Sequence, residues 1–262
     1  IEPSYAPIFA IEFQDGTLKE YVQGNKSGNV RYFSDENVNA TIEYLGNEQW
    51  QLEIANNGDD IYKIWFPYEN QDYELNSDTG DDLIYYPMLT GVIYKANNVG
   101  EQWQAYKSPQ IDWYPCYPGG CFSPIVMIAD NNKAKIVAAT NWPPKPATPT
   151  FSKSKLGIYY NVPNRGNPLP VLKSGQSDSY VVLVSEVEGN SQIGEHPWQF
   201  ATDKYKLWLK QNIEAEGLTP NYPAWLQETP GLIHIEINKL KDYDISTVED
   251  KWDLWNGVFH YI

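Results

Sequence analysis

Ten residues, Trp113-Tyr-Pro-Cys-Tyr-Pro-Gly-Gly-Cys-Phe122, hold the densest collection of chemically capable groups in this sequence. They include both cysteines of the chain, Cys116 and Cys121. Prolines fix φ and remove backbone donors, and paired glycines open conformations closed to other residues, so the stretch reads as a tightly turned loop. The cysteine spacing is expected to close that loop as a local disulfide, with reduced thiols or a metal pair as the alternatives. Zinc wants four ligands, and no second Cys or His pair lies nearby. Neither cysteine has the basic neighbour that marks a reactive thiol. The rings suit other work. Sugars stack their C–H faces on Trp and Tyr while nearby Asp, Asn or Gln take their hydroxyls. Trp113, Tyr114, Tyr117 and Trp142 stand in Pro-rich loops and are the candidate carbohydrate-binding residues. The same rings would serve equally well to cap a hydrophobic core.

Other chemistries find little footing. The histidines, His196, His234 and His260, lack the His-Glu-x-x-His spacing of a metal site and read as structural. There is no Gly-x-Ser-x-Gly elbow, no phosphate-cradling glycine loop and no dinucleotide fingerprint, which removes the basis for serine-nucleophile, kinase-like and dehydrogenase classes. Asn76-Ser-Asp-Thr-Gly-Asp-Asp82 is the richest run of oxygen donors, with Asp78, Asp81 and Asp82 as candidate calcium ligands. It lacks the EF-hand spacing and terminal Glu, and a solvated turn is the preferred reading; no other cofactor is expected. A glycosidase needs two carboxylates ~5–10 Å apart, but 34 acidic residues single out no pair. Glu214 and Glu216 do not share a helix face. Asn25-Lys-Ser27 and Asn39-Ala-Thr41 read as glycosylation sequons.

The chain of 262 residues carries a formal net charge of −15. That argues against nucleic acid and against a basic anchor on an anionic membrane. No run approaches the ~20 apolar residues of a membrane helix. The first residue is Ile1 rather than Met, which reads as a mature, trimmed or partial form. Sequons, acidic charge and the expected disulfide together place the protein outside the cell or on its surface.

The elements that must position these groups are mostly strands. Ile8–Phe13, Asn29–Phe33, Asn39–Tyr44, Trp50–Ala55, Ile61–Phe66, Leu83–Tyr86, Gly91–Lys95, Gln102–Lys107, Ser123–Asp130, Lys135–Thr140, Lys155–Asn161 and Ser179–Glu188 are rich in β-branched and aromatic residues. Turn chemistry separates them at intervals of ~8–12 residues, the pattern of an all-β sandwich or barrel. Lys145–Thr150 and Pro163–Pro170 read as Pro-rich loops. Beyond about Gly189 the period changes. Pro197 opens an apolar stripe through Trp198, Ala201, Tyr205, Trp208, Leu209 and Ile213 that Gly217 closes, which predicts a helix. Pro220–Leu226 is a stiff connector. Gly231–Ile237 then reads as a strand and Val248–Ile262 as an amphipathic helix, an incomplete βα unit.

The order of motifs resembles a known architecture. Ile64-Trp-Phe-Pro67, Asp82-Leu-Ile-Tyr-Tyr-Pro87, Tyr117-Pro-Gly119, the helix Trp198-Gln-Phe-Ala-Thr-Asp-Lys-Tyr-Lys-Leu-Trp-Leu209 and the connector Pro223-Ala-Trp-Leu226 are similar to the N-terminal β-supersandwich and connecting helix of large glycoside hydrolases. In those enzymes the sandwich, galactose-mutarotase-like in fold, precedes a (β/α)8 barrel. The resemblance implies a mainly β protein with a large antiparallel sandwich over residues 1–190, a connecting helix and linker over 191–230, and the first barrel strand and helix over 231–262. It assigns catalysis to later barrel strands, so no catalytic residue transfers to this chain. The resemblance further implies a carbohydrate partner, and either the rest of a barrel or another copy of the chain against residues 231–262. The Cys-x4-Cys feature departs from the pattern and would reshape its loop. The functional expectation is the non-catalytic sandwich portion of a secreted or surface carbohydrate-active enzyme. The alternative is a structural or adhesive extracellular glycoprotein that assembles without hydrolysis.

Overall fold

The computed structural model describes residues 7–68, 82–87, 91–100, 102–104, 116–117, 121, 123–130, 133–153, 155–162, 169–188 and 197–212. In chain order the strands are β1 (Phe9–Glu12), β2 (Leu18–Tyr21), β3 (Asn25–Ser27), β4 (Val30–Ser34), β5 (Val38–Gly46), β6 (Gln49–Asn56) and β7 (Lys63–Tyr68). They continue with β8 (Leu83–Tyr86), β9 (Val92–Lys95), β10 (Ile125–Ala129), β11 (Lys133–Ala139), β12 (Ala147–Phe151), β13 (Leu156–Tyr160) and β14 (Ser177–Glu188). A 3-10 turn, Ala96–Asn98, follows β9, and the helix α1 (Pro197–Asn212) follows β14. The strands form a five-stranded sheet in the order β12-β13-β7-β1-β2 and a nine-stranded sheet in the order β3-β4-β5-β6-β14-β11-β10-β8-β9. The mainly β, two-sheet antiparallel architecture is the one its turn-punctuated strand pattern predicts.

Side-chain alternation explains the layering. Val38, Ala40 and Ile42 of β5 and Trp50, Leu52 and Ile54 of β6 are buried, while the residues between them face outward. The same parity puts Tyr180, Val182 and Val184 of β14 into the main core, with Phe9, Ile11, Ile64 and Phe66 from the smaller sheet. Phe9 stacks on Tyr21 at 4.4 Å and meets Phe33 edge-on at 5.2 Å. The β5–β6 hairpin turns on Asn47 and Glu48, both with positive φ (50° and 64°), as a two-residue loop matched to strand twist requires.

The outer face of the larger sheet is divided. Over β10 and β11 it is apolar, with Met127, Ala129, Ala134 and Ile136, and here Phe200 and Tyr205 of α1 pack. Glu48 fastens this arrangement. Its carboxylate accepts from the Ser185 hydroxyl at 2.9 Å and the Lys204 ammonium at 2.8 Å, and its backbone carbonyl accepts from the Val184 N–H.

Three strands stand outside the predicted set: β2, β3 and β12. The stretch Lys145–Thr150 reads as a Pro-rich loop, yet Ala147–Phe151 pairs with Leu156–Tyr160. Pro149 is tolerated because β12 ends the smaller sheet's strand order, where a missing N–H costs no ladder bond. Residues Ile1–Glu216 form one unit and Gly217–Ile262 another. The second unit lies outside the described residues, and with it the strand expected at Gly231–Ile237, the helix at Val248–Ile262 and the connector before them.

Two variants test this packing. Phe9→Ala empties a site filled from both sheets and should cost about 3–5 kcal/mol, whereas Tyr32→Ala on the open face should stay within ~0.5 kcal/mol; chemical denaturation measures both. Asp35 supplies an acid-sensitive tie at the β4–β5 turn. Burial pulls its carboxyl upward, but bonds from Lys19, the Val38 and Asn37 amides and the Tyr21 hydroxyl outweigh that and hold it at about 2. An unfolded aspartate titrates near ~3.9, so the stabilisation is complete above that pH and is lost as pH falls towards 2. Asp35→Asn should remove this part of the acid dependence, read as denaturation midpoints across that window.

Candidate functional site

The uncovered part of the larger sheet's outer face is a groove of 630 Å³ across β4, β5, β6 and β14. Strand register aligns its floor in two rows. Tyr32 pairs with Thr41, Thr41 with Glu53 and Glu53 with Ser179. Beside them run Ser34, Asn39, Ala55 and Ser177, each again opposite the next. Asn25 of β3 extends the first row next to Tyr32. The Ser34 hydroxyl donates to Asn39 Oδ1 at 2.6 Å, and Gln51 Nε2 donates to Glu53 Oε1 at 2.9 Å. The floor is thus a lattice of hydroxyls, amides and one carboxylate, with partners that orient the Asn39 and Glu53 side chains.

The β14 rim carries the turn after β11. Asn141 imitates a strand residue: its Nδ2 donates to the Ser179 carbonyl at 3.3 Å and its Oδ1 accepts from the Val181 N–H at 3.1 Å. Lys145 pairs with the Asp178 carboxylate and lies over the Tyr180 ring, 4.5 Å from its centroid. Trp142 stands on the turn held between these two fastenings and is 45% exposed. Tyr32, at the other end of the first row, is 48% exposed. Among the side chains described, no other aromatic is as open to solvent.

The sequence-predicted residues scatter. Trp113 and Tyr114 lie outside the described residues. Tyr117 is half-buried against the main core, with its backbone bonded in both directions to Ala147. Asn25 and Asn39, the sequon asparagines, are both exposed, and both fall on the groove face. Of the calcium candidates, Asp78 and Asp81 lie outside the described residues, and the Asp82 carbonyl accepts from the Ala96 N–H. The expected Cys116–Cys121 disulfide is corrected. No such bond is present, and both residues are buried thiols. The loop closes instead through a backbone bond from the Cys121 N–H to the Cys116 carbonyl at 3.2 Å, with Cys121 packed into the main core. Burial raises the Cys116 thiol and pushes Cys121 up to about 12, so neither is an available nucleophile.

Two further features belong to packing. Trp65, Tyr68, Trp103 and Tyr159 cluster on the outer face of the smaller sheet, where Trp65 and Tyr68 are buried. Gly157 makes that possible, since a Cβ there would stand 3.1 Å from the Trp103 ring. Asp15 and Asp60 lie in a second depression near Tyr62 and Ser174, and their carboxylates accept the Thr17 and Ser174 amides as turn caps. Sequence reasoning missed the Tyr32 row altogether. Its signal was the strand alternation itself, which places Tyr32, Thr41 and Glu53 on outward positions without saying that they align.

By fold the chain is a two-sheet antiparallel β-sandwich with a helix on its larger sheet. No family model matches the sequence, and no curated protein matches it. Among solved structures the chain is similar to the α-N-acetylgalactosaminidase NagBb of Bifidobacterium bifidum. A quadruple mutant of that enzyme aligns with a TM-score of 0.43 at 10% identity, over 78% of this chain and 33% of that one. Its GalNAc complex aligns with a TM-score of 0.42 at 9% identity, again over 78% and 33%. The chain therefore spans about a third of the length of these structures. A likeness this distant says nothing about chemistry in the groove.

The thiol assignment has a direct check. In guanidinium without reductant, a thiol reagent should titrate both cysteines, while the native protein should react slowly with it near neutral pH because both thiols are buried and held protonated. A failure of the unfolded chain to react would restore the disulfide.

Proposed function

We propose that this chain is the β-sandwich portion of a secreted or surface carbohydrate-active enzyme of the glycoside hydrolase kind. It supports a catalytic domain and contributes no bond-cleaving group of its own. The observation that carries the reading is the seating of α1. Its aromatic residues Phe200 and Tyr205 lie against β10 and β11, so a sandwich is followed by a helix packed onto it. That is the order of elements the sequence motifs imply for the enzymes they resemble.

The expected result is a division of labour. The natural protein should be longer than these 262 residues and should hydrolyse at least one member of a panel of chromogenic glycosides. The 262-residue chain alone should hydrolyse none of them. Turnover by the isolated chain, or a natural protein of this length that is inert on every glycoside, would overturn the reading.

A further inference from the structure

We propose that the rows Tyr32–Thr41–Glu53–Ser179 and Ser34–Asn39–Ala55–Ser177 form a binding site for a neutral oligosaccharide laid across the strands. The proposal rests on the carbohydrate reading above and adds to it a place and a ligand class. Three observations carry it.

The first is the contrast within one sheet face. Where β10 and β11 turn outward they present Met127, Ala129, Ala134 and Ile136, and α1 covers them. Where β4, β5, β6 and β14 turn outward they present hydroxyls, amides and a carboxylate. A flexible polyol can bond to such a lattice at several points, since Ser and Thr hydroxyls donate or accept by rotation.

The second is the exposure of the aromatics. The two most open aromatic side chains in the described protein are Tyr32, at the β4 end of the first row, and Trp142, on the turn tied to β14. Three strand spacings separate β4 from β14, about 14 Å at ~4.8 Å each. That length suits a short chain of sugar rings better than a single ring, with the open Tyr32 ring at its β4 end.

The third is charge. Glu53 and Asp178 line the groove and, among the described residues, no lysine or arginine does, while Lys145 reaches Asp178 from the turn after β11. An acidic glycan would meet uncompensated negative potential, so the ligand is neutral. Asn39 lies in the second row, and a glycan attached to it would occupy the same floor as the ligand.

The test uses native gels containing galactomannan, xyloglucan or mixed-linkage glucan, with polygalacturonate as the acidic comparison and protein made without N-glycans. Retardation is expected in at least one neutral gel and not in the acidic one. Tyr32→Ala and Glu53→Ala should each weaken it about tenfold or more with circular dichroism unchanged. Equal retardation of Tyr32→Ala and the parent would overturn the site while leaving a carbohydrate-binding protein. Absence of retardation in every gel would also overturn it, and the glycoside assay on the longer protein would still stand as a separate measurement. Dimerisation in sedimentation that Tyr32→Ala abolishes would reassign the face to contact between copies.

Discussion

The double pairing of β14 is the constraint on which the rest of the structure depends. One of its edges pairs with β6 from Ser177↔Ala55 to Leu183↔Gln49, and the other with β11 from Val182↔Ala139 to Glu188↔Lys133. Without it, the β3–β6 meander and the β8–β11 group would be two smaller sheets, each with a long open edge inviting aggregation. β6 and β14 lie more than a hundred residues apart in sequence, so their pairing forms against a large loop-closure cost. Burial of Tyr180, Val182 and Val184 offsets that cost.

One strand consequently serves three environments. Its inward positions build the core, Leu183 and Ser185 lie on the helix side of the outer face, and Ser177 and Ser179 form the floor of the groove. The boundary between covered and open face is kept by few contacts. Glu48 holds the β5–β6 turn to β14 and α1 at once, from a left-handed backbone conformation that a side chain tolerates only when its surroundings hold it there.

The aromatic residues show how little composition says about role. Trp50, Tyr160 and Tyr180 fill the core, and Trp65 and Tyr68 are covered on the outer face of the smaller sheet. Tyr117, in the loop richest in rings and turns, is drawn against the core. The open rings are Tyr32, on a regular strand, and Trp142, in the Pro-rich turn fastened by Asn141 and Lys145. A ring in a Pro-rich loop is no more exposed than its neighbours allow, and sequence does not name those neighbours.

The local steric code was readable. Leu83–Tyr86 matches β8, β-branched and aromatic runs between turns found β5 and β6, and Pro197 marks the start of α1, because composition, turn chemistry and capping depend on residues close in sequence. Short polar strands escaped, since Asn25–Ser27 and Leu18–Tyr21 carry few apolar residues and are strands only through their partners. Ala147–Phe151 escaped because its proline is acceptable only at the end of a sheet, a property of strand order. The groove and the cysteines belong to the same class. By itself the sequence determined which segments extend and which face of each is apolar. Only the tertiary structure decided that Tyr32, Thr41, Glu53 and Ser179 stand in one row and that Cys121 is buried in the core, because register and burial come from pairings between residues far apart in the chain.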